Sequence, residues 1–133
     1  MGKSQIELIL QVYDGAIAAY KAASECYQNS DFEGGFTQLE KAKRFLTHLY
    51  TTLDEESGGE ISENLAKLYA FMISQTDLTI ATKDLTVIRG NLKILNNLRA
   101  GWAGIKVKTE GPAGKTAAEA KAAASAGTFT TSG

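Results

Sequence analysis

His48, Cys26, the acidic run Asp54-Glu55-Glu56 and the basic cluster Lys41, Lys43 and Arg44 are the residues of this sequence whose types could do chemistry. A di-metal centre in a helical protein presents Glu-x-x-His pairs from facing helices. His48 is the one histidine, Phe45 stands three residues before it, and no Glu-x-x-His occurs. His48 therefore reads as a surface or boundary residue. A cysteine nucleophile requires a base and an orienting group beside it, and the sequence identifies neither for Cys26, which reads as a small core thiol. The spacing of Asp54, Glu55 and Glu56 does not match a calcium loop and suits a solvated connection with helix-capping roles. No aromatic residue interleaves with the basic cluster to stack nucleic-acid bases. The expectation is a protein without catalytic, cofactor-binding or metal-binding residues: not an enzyme, and with no cofactor.

The elements that carry these residues are helical. The chain has a single proline, Pro112, and is rich in Leu, Ala, Lys and Glu. Ile6, Ile9, Leu10, Tyr13, Ala16, Ile17, Tyr20 and Ala23 recur at steps of three and four, predicting a helix over about 5–28 with a Ser4/Glu7 capping box. Asp31 is the expected N-cap of a second helix whose core face is Phe32, Phe36, Leu39, Ala42, Leu46, Leu49 and Leu53. Gly34 and Gly35 imply either a frayed first turn or a close backbone approach. Gly58 and Gly59 permit the left-handed backbone of a helix stop, and Ser57 with Glu60 has capping-box spacing. Ile61, Leu65, Leu68 and Met72, flanked by Tyr69, Ile73 and Ile80, predict a third helix over about 60–81. Thr82-Lys83-Asp84 supplies a break and an N-cap, after which Leu85, Ile88, Leu92, Leu95, Leu98, Trp102 and Ile105 predict a fourth.

Short connections make sequential helices antiparallel neighbours. The expected fold class is all-α: an antiparallel up-down-up-down four-helix bundle over residues 1–107, with a flexible C-terminal tail over 108–133. That tail is Ala, Gly, Thr, Ser and Lys, with Phe129 its one large apolar residue, and has too little apolar surface to offset its ordering entropy.

At 133 residues and net charge −1, with signs interspersed, the chain fits one domain and has no general field for nucleic acid or an anionic membrane. One cysteine excludes an internal disulfide, and no window approaches the ~18 apolar residues of a membrane span. The cytoplasm is the expected location. Apolar residues exceed one stripe per helix: Leu8, Val12, Ala19 and Cys26 on the first, Phe71 and Leu78 on the third, Val87, Ile94 and Leu98 on the fourth. Such rows belong either to a wide core or to a groove that receives an amphipathic helix.

Leu8-Ile9-Leu10-Gln11-Val12-Tyr13-Asp14-Gly15-Ala16-Ile17, the stretch from Leu53-Asp54-Glu55-Glu56-Ser57-Gly58-Gly59-Glu60-Ile61 to Asn64-Leu65-Ala66-Lys67-Leu68-Tyr69-Ala70-Phe71-Met72, and Leu98-Arg99-Ala100-Gly101-Trp102 together resemble the flagellar secretion chaperone (FliS) family. The similarity runs from Ser4 to Ile105. It implies a four-helix bundle that binds the disordered C-terminal segment of flagellin, prevents its premature polymerisation and assists its secretion through the flagellar type III apparatus. Its partner would be the flagellin C-terminal region, with export-gate components open as further partners. By position in the matched stretches, Leu8, Val12, Ile61, Leu65, Leu68, Tyr69 and Met72 are the expected client contacts, each also readable as bundle core. Tyr13, Asp14 and Gly15 read as structural, with Tyr13 at the core edge and Gly15 at a close helix approach; Asn64 reads as a cap or bridge near Gly58-Gly59.

Two features depart from that pattern. Only Met1-Gly2-Lys3 precedes Ser4, where the family has a longer segment able to lie over the binding surface, so masking by that route is not expected. The Ala-rich tail has no counterpart in the pattern. The other readings of the same residues are a self-assembling structural bundle or adaptor without a flagellin client, and a metalloenzyme on a bundle scaffold.

Overall fold

Three of the helices start where a side chain takes an orphan backbone N–H. Ser4 Oγ accepts from the Glu7 N–H at 3.2 Å, and Asp31 Oδ1 accepts from Gly34 at 2.9 Å. Asp84 Oδ1 accepts from the Thr86 N–H at 3.0 Å and from its hydroxyl at 2.7 Å. In the computed structural model these caps open α1 (Gln5–Gln28), α2 (Phe32–Thr51) and α4 (Thr86–Thr109). The third helix, α3 (Glu55–Thr82), is broken at Gly59, whose φ of 55° and ψ of −131° suit glycine and not an L side chain. The structure describes residues 4–53 and 55–109, and side chains within these except 55–58 and 107–109. The tail call over 108–133 thus falls outside the described residues from 110 onward, while α4 runs two residues past the expected end at Val107. The Ser57 capping call also lies outside the described side chains.

Ends are set by backbone geometry as well. Ser30 has φ 61°, and past it the Asp31 N–H donates to the Cys26 carbonyl at 2.8 Å while the Ser30 N–H donates to Tyr27 at 3.1 Å. That is the pair of bonds that closes a helix through one left-handed residue. It turns α2 back along α1.

The helices form an up-down-up-down bundle in which α1 packs on α2 and α4, and α3 on α2 and α4. Buried positions step by three and four along every helix: Tyr13, Ala16, Tyr20, Ala23 and Tyr27 on α1; Gly35, Leu39, Ala42, Leu46 and Leu49 on α2; Ser62, Leu65, Tyr69, Met72, Thr76 and Thr79 on α3; Ile88, Asn91, Leu95, Leu98 and Trp102 on α4. This 3.5-residue repeat is what keeps a seam facing its partners along a bundle.

The seam corrects several expectations. On α3 it runs one residue over from Ile61 and Leu68, which are half-buried, and on α4 it takes Asn91 in place of Leu92. Ala19 and Leu98, counted among the extra apolar residues, are core. Phe32 and Phe36 stay 45% and 48% exposed because Gly35 holds the seam there: a Cβ on Gly35 would lie 2.4 Å from the Tyr27 ring. The glycine pair is thus neither frayed nor pressed by backbone: the Tyr27 ring fills the space at Gly35 and the capping Asp31 carboxylate that at Gly34. Phe32 instead packs on Tyr27 with the rings tilted at 47°, and the Lys83 ammonium lies 4.8 Å from its centroid.

Candidate functional site

Gly15 sets how closely α1 and α2 approach. The Phe45 ring lies against it, with Cζ only 2.5 Å from where a Cβ would stand. Beside this contact lies a groove of about 450 Å³. Leu8, Ile9 and Val12 of α1, Phe45 and Leu49 of α2, Leu53, Tyr69 of α3 and Trp102 of α4 line it, with Gln5, Gln11, His48 and Thr52 at its margins. A shallower trough continues along α2 between Val12, Phe45, Lys41, Arg44 and His48. Leu8 is 50% exposed here and contiguous with the apolar lining, so its open face adds to the apolar surface that the groove offers.

Two polar layers hold the helices beneath the groove. In the first, the Trp102 indole N–H donates to the Tyr13 hydroxyl at 3.2 Å, and the Tyr13 and Tyr69 hydroxyls share a 2.5 Å hydrogen bond. Two helical turns along α1, Tyr20 meets the Thr76 hydroxyl at 2.5 Å, Thr76 donates to the Met72 carbonyl at 2.7 Å, and the Asn91 amide donates to Met72 at 2.9 Å and Tyr20 at 3.2 Å. Donors and acceptors form a directed chain from Asn91 through Tyr20 and Thr76 to the Met72 carbonyl. Asn91 Oδ1 has no partner among the described residues. Burial pushes Tyr13 up to about 12 and Tyr69 well above the ordinary tyrosine value, the second also through the adjacent Tyr13. Both are neutral hydroxyls, held as packing and hydrogen-bonding groups. Tyr13, expected at the core edge, is fully buried at its centre.

The exposed side of α1 is fixed to α4 by charge. Arg99 Nε and Nη2 grip the two oxygens of Asp14, the second bond at 3.2 Å, and Asp14 raises the arginine further. Lys106 Nζ lies 4.0 Å from Glu7. The Cys26 thiol is half-buried and pushed up by desolvation first and the Asp31 carboxylate second, the reverse of activation. His48 is exposed on α2 at the groove margin. Among the described residues, no cluster of three His, Cys, Asp or Glu could hold a metal, and no helix is long and apolar enough to cross a membrane.

Of the residues singled out from sequence, Leu8, Val12 and Tyr69 come together at the groove, with Tyr69 forming buried wall. Leu65 and Met72 are 1% and 0% exposed, enclosed because they sit on the seam of α3. Ile61 and Leu68 are half-buried beside that seam, and neither lines the groove; Asn64 lines a shallow polar depression with Gly59 and Glu60. Sequence reasoning missed Phe45, Leu49 and Trp102 as groove residues. For Phe45 the available signal was Gly15, which leaves room for a large neighbour across the interface; Leu49 and Trp102 carried no signal beyond their core periodicity.

A bundle with an apolar inter-helix groove over a neutral buried polar core has the architecture of a helical binding module. The profile of the family described as flagellar protein FliS matches residues 1–109, and the chain belongs to that family. It is 31% identical over 109 residues to the flagellar secretion chaperone FliS of Salmonella typhimurium, covering 81% of each chain. To the flagellar secretion chaperone FliS of Escherichia coli it is 28% identical over 103 residues, 77% of this chain and 76% of that one. To that of Vibrio cholerae it is 24% identical over 96 residues, 72% and 71% of the two. The family's role is a chaperone's in flagellar export, not an enzyme's.

Proposed function

We propose that the chain is a cytoplasmic export chaperone that binds the disordered C-terminal segment of flagellin, prevents its premature polymerisation and assists its secretion through the flagellar type III apparatus. The observation that carries this reading is the α1/α2 groove with Leu8 half exposed at its lip. A client that is disordered alone and helical when bound needs a long apolar surface to offset its ordering, and a groove between helices provides one. Leu8, Val12 and Tyr69 are the proposed contacts; Ile61 and Leu68 are proposed at half-buried positions on α3, and Leu65 and Met72 act by holding α3 in register.

The test mixes the full chain with a peptide of the last forty or so residues of flagellin, the length of a ~60 Å helix. A complex at micromolar concentration and a gain of ellipticity at 222 nm are expected. Leu8→Glu should weaken it about tenfold or more, the cost of losing one buried aliphatic contact, with its unfolding midpoint unchanged. Absence of a complex refutes the proposal. A homo-oligomer in light scattering that flagellin does not alter would favour the self-assembling reading.

A further inference from the structure

Four of the basic side chains on the described surface are drawn toward acids: Lys43 to Glu40 at 3.3 Å and Asp77 at 2.6 Å, Lys67 to Glu63, Arg99 to Asp14 and Lys106 to Glu7. Among the described side chains, Lys21, Lys41, Arg44, Lys83, Arg89 and Lys93 enter no such pair, and of these Lys41 and Arg44 line the apolar trough. They stand three residues apart on α2, both exposed, on the margin of the trough formed by Val12, Phe45 and His48. Among the described residues neither enters an ion pair. Glu40, the acid next to them in sequence, is engaged by Lys43 on the α3 side. The acids of α1 nearest the groove, Glu7 and Asp14, are held by α4. The residues α1 gives to the groove are neutral: Gln5, Leu8, Ile9, Gln11 and Val12. One margin of an apolar channel therefore carries two cations that no acid among the described side chains pairs, in a chain whose net charge is −1.

Resting on the reading of this groove as the seat of an amphipathic helix, we propose that Lys41 and Arg44 select its charge pattern: the bound helix carries carboxylates spaced three or four residues apart along one edge of its apolar stripe. Positions three and four apart on a helix share a face, so two such carboxylates face Lys41 and Arg44 together while the stripe lies over Val12 and Phe45. Opposite charges at the margin of an interface fix register and reject wrong partners more than they add affinity. Only one of the two edges of the bound helix meets the cations, so the same contact sets its direction along the groove.

The test uses the full chain and two synthetic amphipathic peptides with the same apolar stripe, one with glutamates along one edge and one with glutamines there. Affinities are read by calorimetry at low and at 0.5 M salt, a probe range in which surface attraction is first present and then screened. The acidic peptide should bind about two- to thirty-fold tighter at low salt, the range for two exposed ion pairs, and the preference should fade at high salt. In the double variant Lys41→Gln, Arg44→Gln both peptides should bind as the neutral one does to the parent chain. Equal affinity of the parent chain for both peptides, or a preference that survives in the double variant, overturns the charge assignment while leaving the groove reading standing. Binding of neither peptide overturns both.

Discussion

Replacing Gly15 with alanine tests the contact that spaces α1 and α2. Alanine gains about 0.8–1.0 kcal/mol of helix propensity over glycine. Against that, its Cβ would stand 2.5, 2.6 and 2.9 Å from Cζ, Cε1 and Cε2 of Phe45, where carbon atoms prefer about 3.5–4.0 Å. The ring must retreat by about an ångström, an overpacking cost of about 1–3 kcal/mol. The net expectation is a loss of about 1 kcal/mol, seen as a lower midpoint in urea unfolding followed at 222 nm, with an unchanged slope. In a Phe45→Leu background the three clashing atoms are gone, and Gly15→Ala should instead stabilise by about 1 kcal/mol, a coupling of about 2 kcal/mol between the sites. Gly90→Ala is the control: no described atom lies within 4 Å of its added Cβ, so it should gain about 0.5–1 kcal/mol in both backgrounds. If Gly15→Ala stabilises the parent chain as Gly90→Ala does, or if its effect keeps one sign regardless of residue 45, the ring does not set the helix spacing. Because Phe45 also lines the groove, the displaced ring should weaken flagellin binding in Gly15→Ala and not in Gly90→Ala.

Two more outcomes follow from the core and the turns. Tyr13 and Tyr69 titrate above the unfolded value of 10, Tyr13 at about 12; stability is therefore fully present below pH 10 and lost as pH rises through the folded values. Each buried tyrosine contributes up to about 1.4 kcal/mol per pH unit. Tyr13→Phe should shallow that alkaline decline in urea titrations from pH 9 to 12, while costing about 1–3 kcal/mol at neutral pH because the Trp102 N–H loses its acceptor. Ser30→Gly relieves an L residue at φ 61° and should raise the unfolding free energy by about 0.5–1 kcal/mol, as the closing bonds from Ser30 and Asp31 are backbone bonds that glycine keeps. A loss of stability would show that the serine side chain, and not the backbone turn, closes α1.

Helix number, order and the caps at Ser4, Asp31 and Asp84 were legible because capping and periodicity are local: a side chain reaches an N–H two or three residues away, and apolar steps of three and four define a face. The seam was harder. Ser62, Thr76, Thr79 and Asn91 are small polar residues that periodicity counts as surface, yet the structure buries them; the Thr76 and Thr79 hydroxyls and the Asn91 amide N–H find a hydroxyl or a nearby carbonyl. Without those partners in view, Ile61, Leu68 and Leu92 were the natural choices, each one residue off the seam. Phe32 and Phe36 failed for a related reason: what they border depends on the Tyr27 ring filling the space over Gly35.

By itself the sequence determined that this is an all-helical chain of four segments with more apolar surface than four stripes need, and its Tyr13-Asp14-Gly15 and Gly58-Gly59-Glu60 stretches pointed to the FliS family, to which the profile match assigns it. Only the tertiary structure decided which apolar residues close the core and which remain available. Leu8 lies in the more apolar stretch of sequence and Leu65 among Ser62, Glu63, Asn64 and Lys67, but Leu8 stands half exposed at a groove and Leu65 is sealed. Burial is a property of what packs opposite, and the distance between α1 and α2 is set by a ring meeting a glycine thirty residues away, a fact that no window along the chain contains.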